Sequence, residues 1–156
     1  MSSLKAIVVG KTEKGFAGEG VEFYLKRIQP FQPLEWIEVR SAAHSGRDPG
    51  QALGLEAEAI LKRVTPTDIL VLLDERGKTP STLEFARMLE SWSTAPGACV
   101  FVIGGAYGVA ETIKRRATFT VALSRLTFPH QLVRVILLEQ LYRALTVLAG
   151  HGYHHE

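Results

Sequence analysis

Two segments in the last third of the chain have the composition of ligand-binding loops. Gly104-Gly105-Ala106-Tyr107-Gly108 follows the apolar run Cys99–Ile103, and Ser124-Arg125-Leu126-Thr127-Phe128-Pro129-His130 follows Thr118–Leu123. Adjacent glycines let backbone N–H and C=O groups approach a ligand with no Cβ between them. Pro129 fixes its own φ and biases Phe128 toward extended backbone, so that loop is stiff and presents its carbonyls outward. Each segment also has a plain structural reading: a tight strand-to-helix turn for the glycines, a helix entry for Pro129. Arg134 falls in line with Leu138, Leu141, Leu145 and Leu148 at helical spacing. A charge on an apolar face needs a partner, whether Glu139 of another subunit, a carboxylate elsewhere in the fold, a ligand or a nucleic-acid phosphate. The tail His151-Gly152-Tyr153-His154-His155-Glu156 holds three of the five histidines. It reads as a solvated end, a crowded metal site, or an arm that brings a ring titrating near neutral pH into an active site, its own or a partner's.

Two familiar nucleotide fingerprints fail. Gly10-Lys11-Thr12 has the end of a phosphate-binding loop, but the glycine required five residues earlier is Lys5. The first strand does not lead into G-x-G-x-x-G, which argues against a dinucleotide site. The lone cysteine, Cys99, sits within Ala98–Ile103 and reads as a buried small hydrophobe, not a nucleophile.

The elements that must position these residues follow from hydrophobic period. Strands are expected at Leu4–Val9, Leu34–Val39, Asp68–Asp74, Cys99–Ile103 and Thr118–Leu123. Helices are expected at Gly20–Ile28, Gln51–Val64, from the Ser81…Glu84 capping box to about Trp92, at Glu111–Arg116 and from Gln131 to Leu148. The strand Asp68–Asp74 is continuously apolar, as in a strand buried on both faces. Strand–helix alternation predicts an α/β fold with a mostly parallel sheet and helices on both faces. The final helix is apolar in nearly every direction, more than one sheet can cover, which predicts a symmetric dimer.

With 156 residues and a net charge of only +2, the chain fits one domain without a basic field over the whole molecule. Basic clusters are local: Lys26-Arg27, Lys62-Arg63, Arg76 with Lys78, and Lys114-Arg115-Arg116. Lys5, Lys11, Glu13 and Lys14 interrupt any signal-like N-terminal run, and no apolar stretch nears bilayer length, so a cytoplasmic protein without a membrane partner is expected.

Read together, Leu72-Leu73-Asp74…Gly77-Lys78, Val102-Ile103-Gly104-Gly105…Gly108, Leu126–Val135, Glu139–Ala144 and Tyr153-His154 resemble the ribosomal large-subunit pseudouridine N3-methyltransferase H family over nearly the whole chain. The resemblance implies a single SPOUT-type α/β knot domain over residues 1–156. Its C-terminal trefoil knot and cofactor pocket would lie in about 100–156, and it would be a homodimer. It implies S-adenosyl-L-methionine held by Leu73, Asp74, Gly104, Gly105, Ser124, Arg125, Leu126, Thr127, Phe128 and Pro129, with no metal. The substrate implied is a pseudouridine in the helix 69 loop of large-subunit rRNA within the assembled ribosome, methylated at N3. His154 with Tyr153 are the expected proton acceptors and His130 the reserve; Arg134 and Arg125 are expected to hold phosphate or polarise base carbonyls. Other readings are a knotted methyltransferase for another RNA and a non-catalytic ribosome-binding factor. Two positions depart from the family pattern: His155 where the family has Arg or Lys, and Ala106-Tyr107 between the glycines.

Overall fold

A computed structural model describes residues 2–155; Met1 and Glu156, the ends of the expected single domain, lie outside the described residues. The elements run β1 (Leu4–Val9), α1 (Phe16–Ile28), β2 (Leu34–Val39), α2 (Pro49–Leu61), β3 (Ile69–Lys78), α3 (Thr82–Trp92), β4 (Cys99–Ile103), α4 (Glu111–Arg116), β5 (Phe119–Val121) and α5 (His130–Leu148). The five strands form one parallel sheet in the order β2-β1-β4-β3-β5.

Alternation along the central strands splits the core in two, as strand geometry requires. Leu4, Ala6 and Val8 of β1 and Cys99, Phe101 and Ile103 of β4 pack under α1, α3 and α5 with Phe85, Leu89, Leu137, Leu138 and Leu141. Ile7, Val9, Val100 and Val102 pack on the opposite side with Ala57 and Ile60 of α2 and Ile113 of α4. The expected parallel sheet with helices on both faces is therefore the observed architecture.

Several boundaries differ from the periodicity reading. Helix α1 begins at Phe16, not Gly20, because Gly15 at φ +100° turns the chain and its carbonyl accepts from Glu19 N at 2.9 Å. Helix α2 begins at Pro49, not Gln51, because the Asp48 carboxylate accepts from Gln51 N at 2.8 Å, and it ends at Leu61, not Val64. Helix α5 starts one residue early, at His130. Strand β3 starts at Ile69 and runs past Asp74 to Lys78. Its pairing with β5 jumps from Leu73↔Val121 to Lys78↔Val121, so residues 74–77 bulge out of the ladder. Gly77 permits this, since a Cβ there would meet the Thr120 carbonyl carbon at 2.7 Å. Strand β5 is only three residues, short of the expected Thr118–Leu123, and Ala122 N then donates to Lys78 O at 2.7 Å. The capping box opens α3 as expected, Ser81 Oγ accepting from Glu84 N and Glu84 Oε2 from Ser81 N.

Much of α5's apolar circumference is covered within the chain. It packs on α1 so closely that a Cβ on Gly20 would meet Val135 Cγ1 at 2.8 Å, and it packs on α3 as well. A half-buried stripe of Leu132, Ile136, Gln140, Arg143 and Val147 is left over.

Candidate cofactor site

At the carboxyl ends of β3, β4 and β5 lies a cavity of about 620 Å³, where open parallel sheets place their ligands. Its walls include Leu73, Asp74, Gly104, Gly105, Ser124, Leu126, Thr127, Phe128 and Pro129, so the two loops singled out by composition do converge. His130 lines it too. Arg125 does not, nor do Arg134, Tyr153 and His154. Ala106 and Gly108, members of the glycine segment singled out above, line it as well; sequence reasoning missed Glu75, Arg76, Ile103, Val121, Leu123 and Val133. The strand-end apolar residues among these were readable once strand ends were taken as walls; Glu75 and Arg76 enter only because β3 bulges.

The glycine turn is closed by Gly108 N donating to Gly105 O at 3.0 Å, with Gly108 at φ +79°. A Cβ on Gly104 would meet the Gly108 carbonyl oxygen at 2.6 Å, and one on Gly105 would meet Val9 Cγ1 at 3.0 Å. Across the cavity, Ser124 Oγ accepts from Leu126 N at 3.0 Å and Pro129 O accepts from Val133 N at 3.1 Å, joining the loop to α5. Asp74 accepts from Arg76 N at 2.9 Å and Arg76 Nε at 3.3 Å. Burial pushes its carboxyl up, but these hydrogen bonds and the charge of Arg76 outweigh it and hold the group below the ordinary value. His130 Nδ1 is buried with no hydrogen-bond partner.

Arg134 stands behind this wall. Its side chain is fully buried; Nη2 donates to Val9 O at 2.7 Å, and Nη1 donates to Gly10 O at 2.9 Å and to Thr12 Oγ1 at 3.0 Å. Burial lowers its pKa, partly offset by Glu38 and Glu13, and the Glu38 carboxylate is 3.9 Å from Nη1. A guanidinium so enclosed holds no phosphate. The expected contact with RNA or a base is replaced by a clamp between α5 and the end of β1, and Glu139 is not its partner.

Glu139 belongs to a second cluster. Its Oε1 accepts from Arg143 Nη2 at 2.5 Å and from Tyr153 OH at 3.2 Å, and Arg143 Nη1 donates to His154 Nδ1 at 3.1 Å. Arginine has only donors, so Nδ1 is the acceptor and the neutral ring carries its proton on Nε2, which is buried without a partner. Burial, then Glu139, raise the Tyr153 phenol. The i,i+4 spacing of Glu139 and Arg143 was the readable signal for this pair. His130 and Arg143 are thirteen steps apart along the helix, roughly 20 Å at 1.5 Å per residue, so in one protomer the tail cluster and the cavity lie apart.

Among the described residues no three His, Cys, Asp or Glu side chains are grouped to hold a metal ion, and no helix is long and apolar enough to cross a membrane. The family described as "Predicted SPOUT methyltransferase" matches residues 2–154. Curated relatives of nearly equal length include the ribosomal RNA large subunit methyltransferase H proteins of Geobacter metallireducens (44% identical, covering 97% of this chain and 98% of the relative) and Geobacter sulfurreducens (42%, 97% and 99%). The chain belongs to the ribosomal RNA large subunit methyltransferase H family of SPOUT methyltransferases. The fold is shared with remote solved structures. A probable methyltransferase of Bordetella pertussis Tohama I aligns at TM-score 0.55 and 15% identity, over 92% of this chain and 95% of that one. A probable methylase family protein of Haemophilus influenzae Rd KW20 aligns at 0.56 and 11%, over 99% and 71%. In this member of the methyltransferase H family, the two loops that carried the sequence resemblance are the two opposing walls of the cavity.

Proposed function

We propose that the chain transfers the methyl group of S-adenosylmethionine to N3 of a pseudouridine in the helix 69 loop of 23S rRNA on the assembled ribosome, in the cytoplasm, as a homodimer. The observation that carries this reading is the strand-end cavity walled by Gly104, Gly105 and Gly108 on one loop and Ser124 and Leu126–Pro129 on the other, in a chain about as long as its methyltransferase H relatives.

The cavity suits the cofactor in size and chemistry. Ile103, Val121, Leu123, Leu126, Phe128 and Val133 supply apolar walls, Asp74 an ionised acceptor for hydroxyls, and His130 Nδ1 an uncommitted polar atom. The bound cofactor supplies an electrophilic methyl group on a positively charged sulfur. The Gly104-Gly105 backbone would hold the cofactor, and Phe128 and Val133 would help keep water from the reacting atoms. The proton leaving N3 would pass to a base beside the cavity; His130, the reserve candidate, lines it and is the candidate acceptor on this protomer. His154, held at Nδ1 by Arg143, orders the tail cluster that would orient the base.

The tail reaches the reaction only from a second copy. Helix α5 starts at the cavity with His130 and ends near the tail cluster, and its uncovered stripe is centred on Gln140. Two copies of α5 packed antiparallel about that point bring the Tyr153–His154 cluster of one to the cavity of the other. The trefoil knot expected in about 100–156 accords with the chain path. Strand β5 pairs on the outer side of β3, yet α5 clamps the end of β1 two strands beyond, so residues 122–129 cross the carboxyl edge beside the 74–81 segment.

The test is transfer of a labelled methyl group to ribosomes that carry the pseudouridine and to ribosomes with uridine there. Labelling of the first and little of the second is expected; equal labelling overturns the specificity.

A further inference from the structure

Three of the four tyrosines are engaged with one another or with charge: Tyr24 and Tyr142 lie 6.3 Å apart, Tyr142 and Tyr153 4.6 Å, and Tyr153 bonds Glu139. Tyr107 is different. It is 50% exposed, and among the described residues its phenol has no hydrogen bond and its ring no aromatic neighbour. It stands at the tip of the Gly105–Gly108 turn, whose other members line the cavity mouth. That turn is closed by its own hydrogen bond, and the residue that leads into it, Gly104, has no room for a Cβ. On the opposite lip Leu126 is 72% exposed. An exposed aromatic ring left unpaired beside a reaction cavity is a platform for a flat partner.

The charge around it says which partner. Gly105 lies against Val9 and near Glu56, and Glu56 Oε2 accepts from Ala42 N at 2.8 Å, which brings the 40–48 loop beside the turn. Gly10 in turn lies against Ser41, so the β1 turn is adjacent too. These two loops expose Lys11, Lys14, Arg40 and Arg47, none in an ion pair among the described residues. The acids beside them are Glu13, Asp48, which caps α2, and two carboxylates engaged in hydrogen bonds, Glu38 with Thr12 N and the buried Glu56 with Ala42 N. Basic loops flanking an exposed aromatic fit single-stranded nucleic acid, with phosphates on the cations and an unstacked base on the ring.

We propose that Tyr107 stacks on a base of the RNA loop that carries the target nucleotide, while Lys11, Lys14, Arg40 and Arg47 meet the neighbouring phosphates. This rests on RNA being the substrate, as argued above, but not on which atom is methylated. Tyr107 thus positions the substrate and leaves the cofactor alone.

The experiment compares the parent chain with Tyr107→Ala and Tyr107→Phe. Affinity for purified ribosomes is read by co-sedimentation and for S-adenosylmethionine by calorimetry, alongside kcat and KM. Loss of one stacked base should weaken ribosome binding and raise KM by roughly ten-fold in Tyr107→Ala. Cofactor affinity should stay within two-fold of the parent, and Tyr107→Phe should behave as the parent. Unchanged ribosome affinity in Tyr107→Ala overturns the proposal, as does loss of cofactor binding in it or equal damage in Tyr107→Phe. Should the parent bind ribosomes without methylating them, the functional reading fails while the affinities still decide the stacking. Should it bind no ribosomes, both fail.

Discussion

Arg134 Nη2 donates to the carbonyl oxygen of Val9 at 2.7 Å, joining the second turn of α5 to the end of β1 across 125 residues of sequence. The same guanidinium takes Gly10 O and Thr12 Oγ1. Val9 is also the residue Gly105 leans on, so one buried side chain registers both walls of the cavity through the end of β1.

Replacing Arg134 with Met should therefore cost about 3 kcal/mol or more, since it strands two backbone carbonyls and removes the partner of Glu38. Urea denaturation of the parent and the variant measures this. A loss below about 1 kcal/mol would mean that solvent reaches those carbonyls easily.

Glu38 makes the same junction sensitive to acid. Burial tends to raise its pKa, but hydrogen bonds from Thr12 and Trp36 and the charge of Arg134 prevail and depress it in the folded state below the ordinary 4.5. A depressed carboxylate contributes stability that is complete above its unfolded value and lost as pH falls through the folded one. Glu38→Gln should be less stable than the parent at pH 7, and the two should converge below pH 4.5. A difference that stays constant into acid would show that the charge does not contribute.

The glycine turn separates two kinds of constraint. Gly104→Ala drives a Cβ into a backbone carbonyl at 2.6 Å, whereas Gly105→Ala meets a side-chain methyl of Val9 at 3.0 Å. Calorimetry should show at least ten-fold weaker cofactor binding for the first and a smaller loss for the second. The reverse order would place the cofactor on the Val9 side of the turn.

Cys99 is enclosed in β4, and burial pushes its thiol up to about 12. Native protein at pH 8 should react with a thiol reagent only at the rate at which the sheet opens, and fully in denaturant. Rapid native labelling would show that β4 is not sealed.

Much of this was legible in the residues because the signals were local. Ser81 and Glu84 open α3, the unbroken apolar run after Asp68 gives a strand buried on both faces, and the glycine and proline loops do face one cavity. What escaped depended on distant partners. Periodicity ended β3 at Asp74 because nothing near Gly77 announces Thr120 behind it. Arg134 looked like a ligand contact because its true partners are mainly backbone carbonyls, which no side-chain pattern reveals. Arg125 lies inside the loop motif but outside the cavity lining, although its neighbours Ser124 and Leu126 both line it.

The central claim is that this cavity delivers a methyl group to one atom of one rRNA nucleotide. Ribosomes lacking the modification should be incubated with the chain and S-adenosylmethionine, and the rRNA digested and its nucleosides identified by mass spectrometry. The account predicts 3-methylpseudouridine from the helix 69 loop as the new product. A methyl group on another atom or nucleotide, or none on ribosomes from a chain that binds the cofactor, would contradict it.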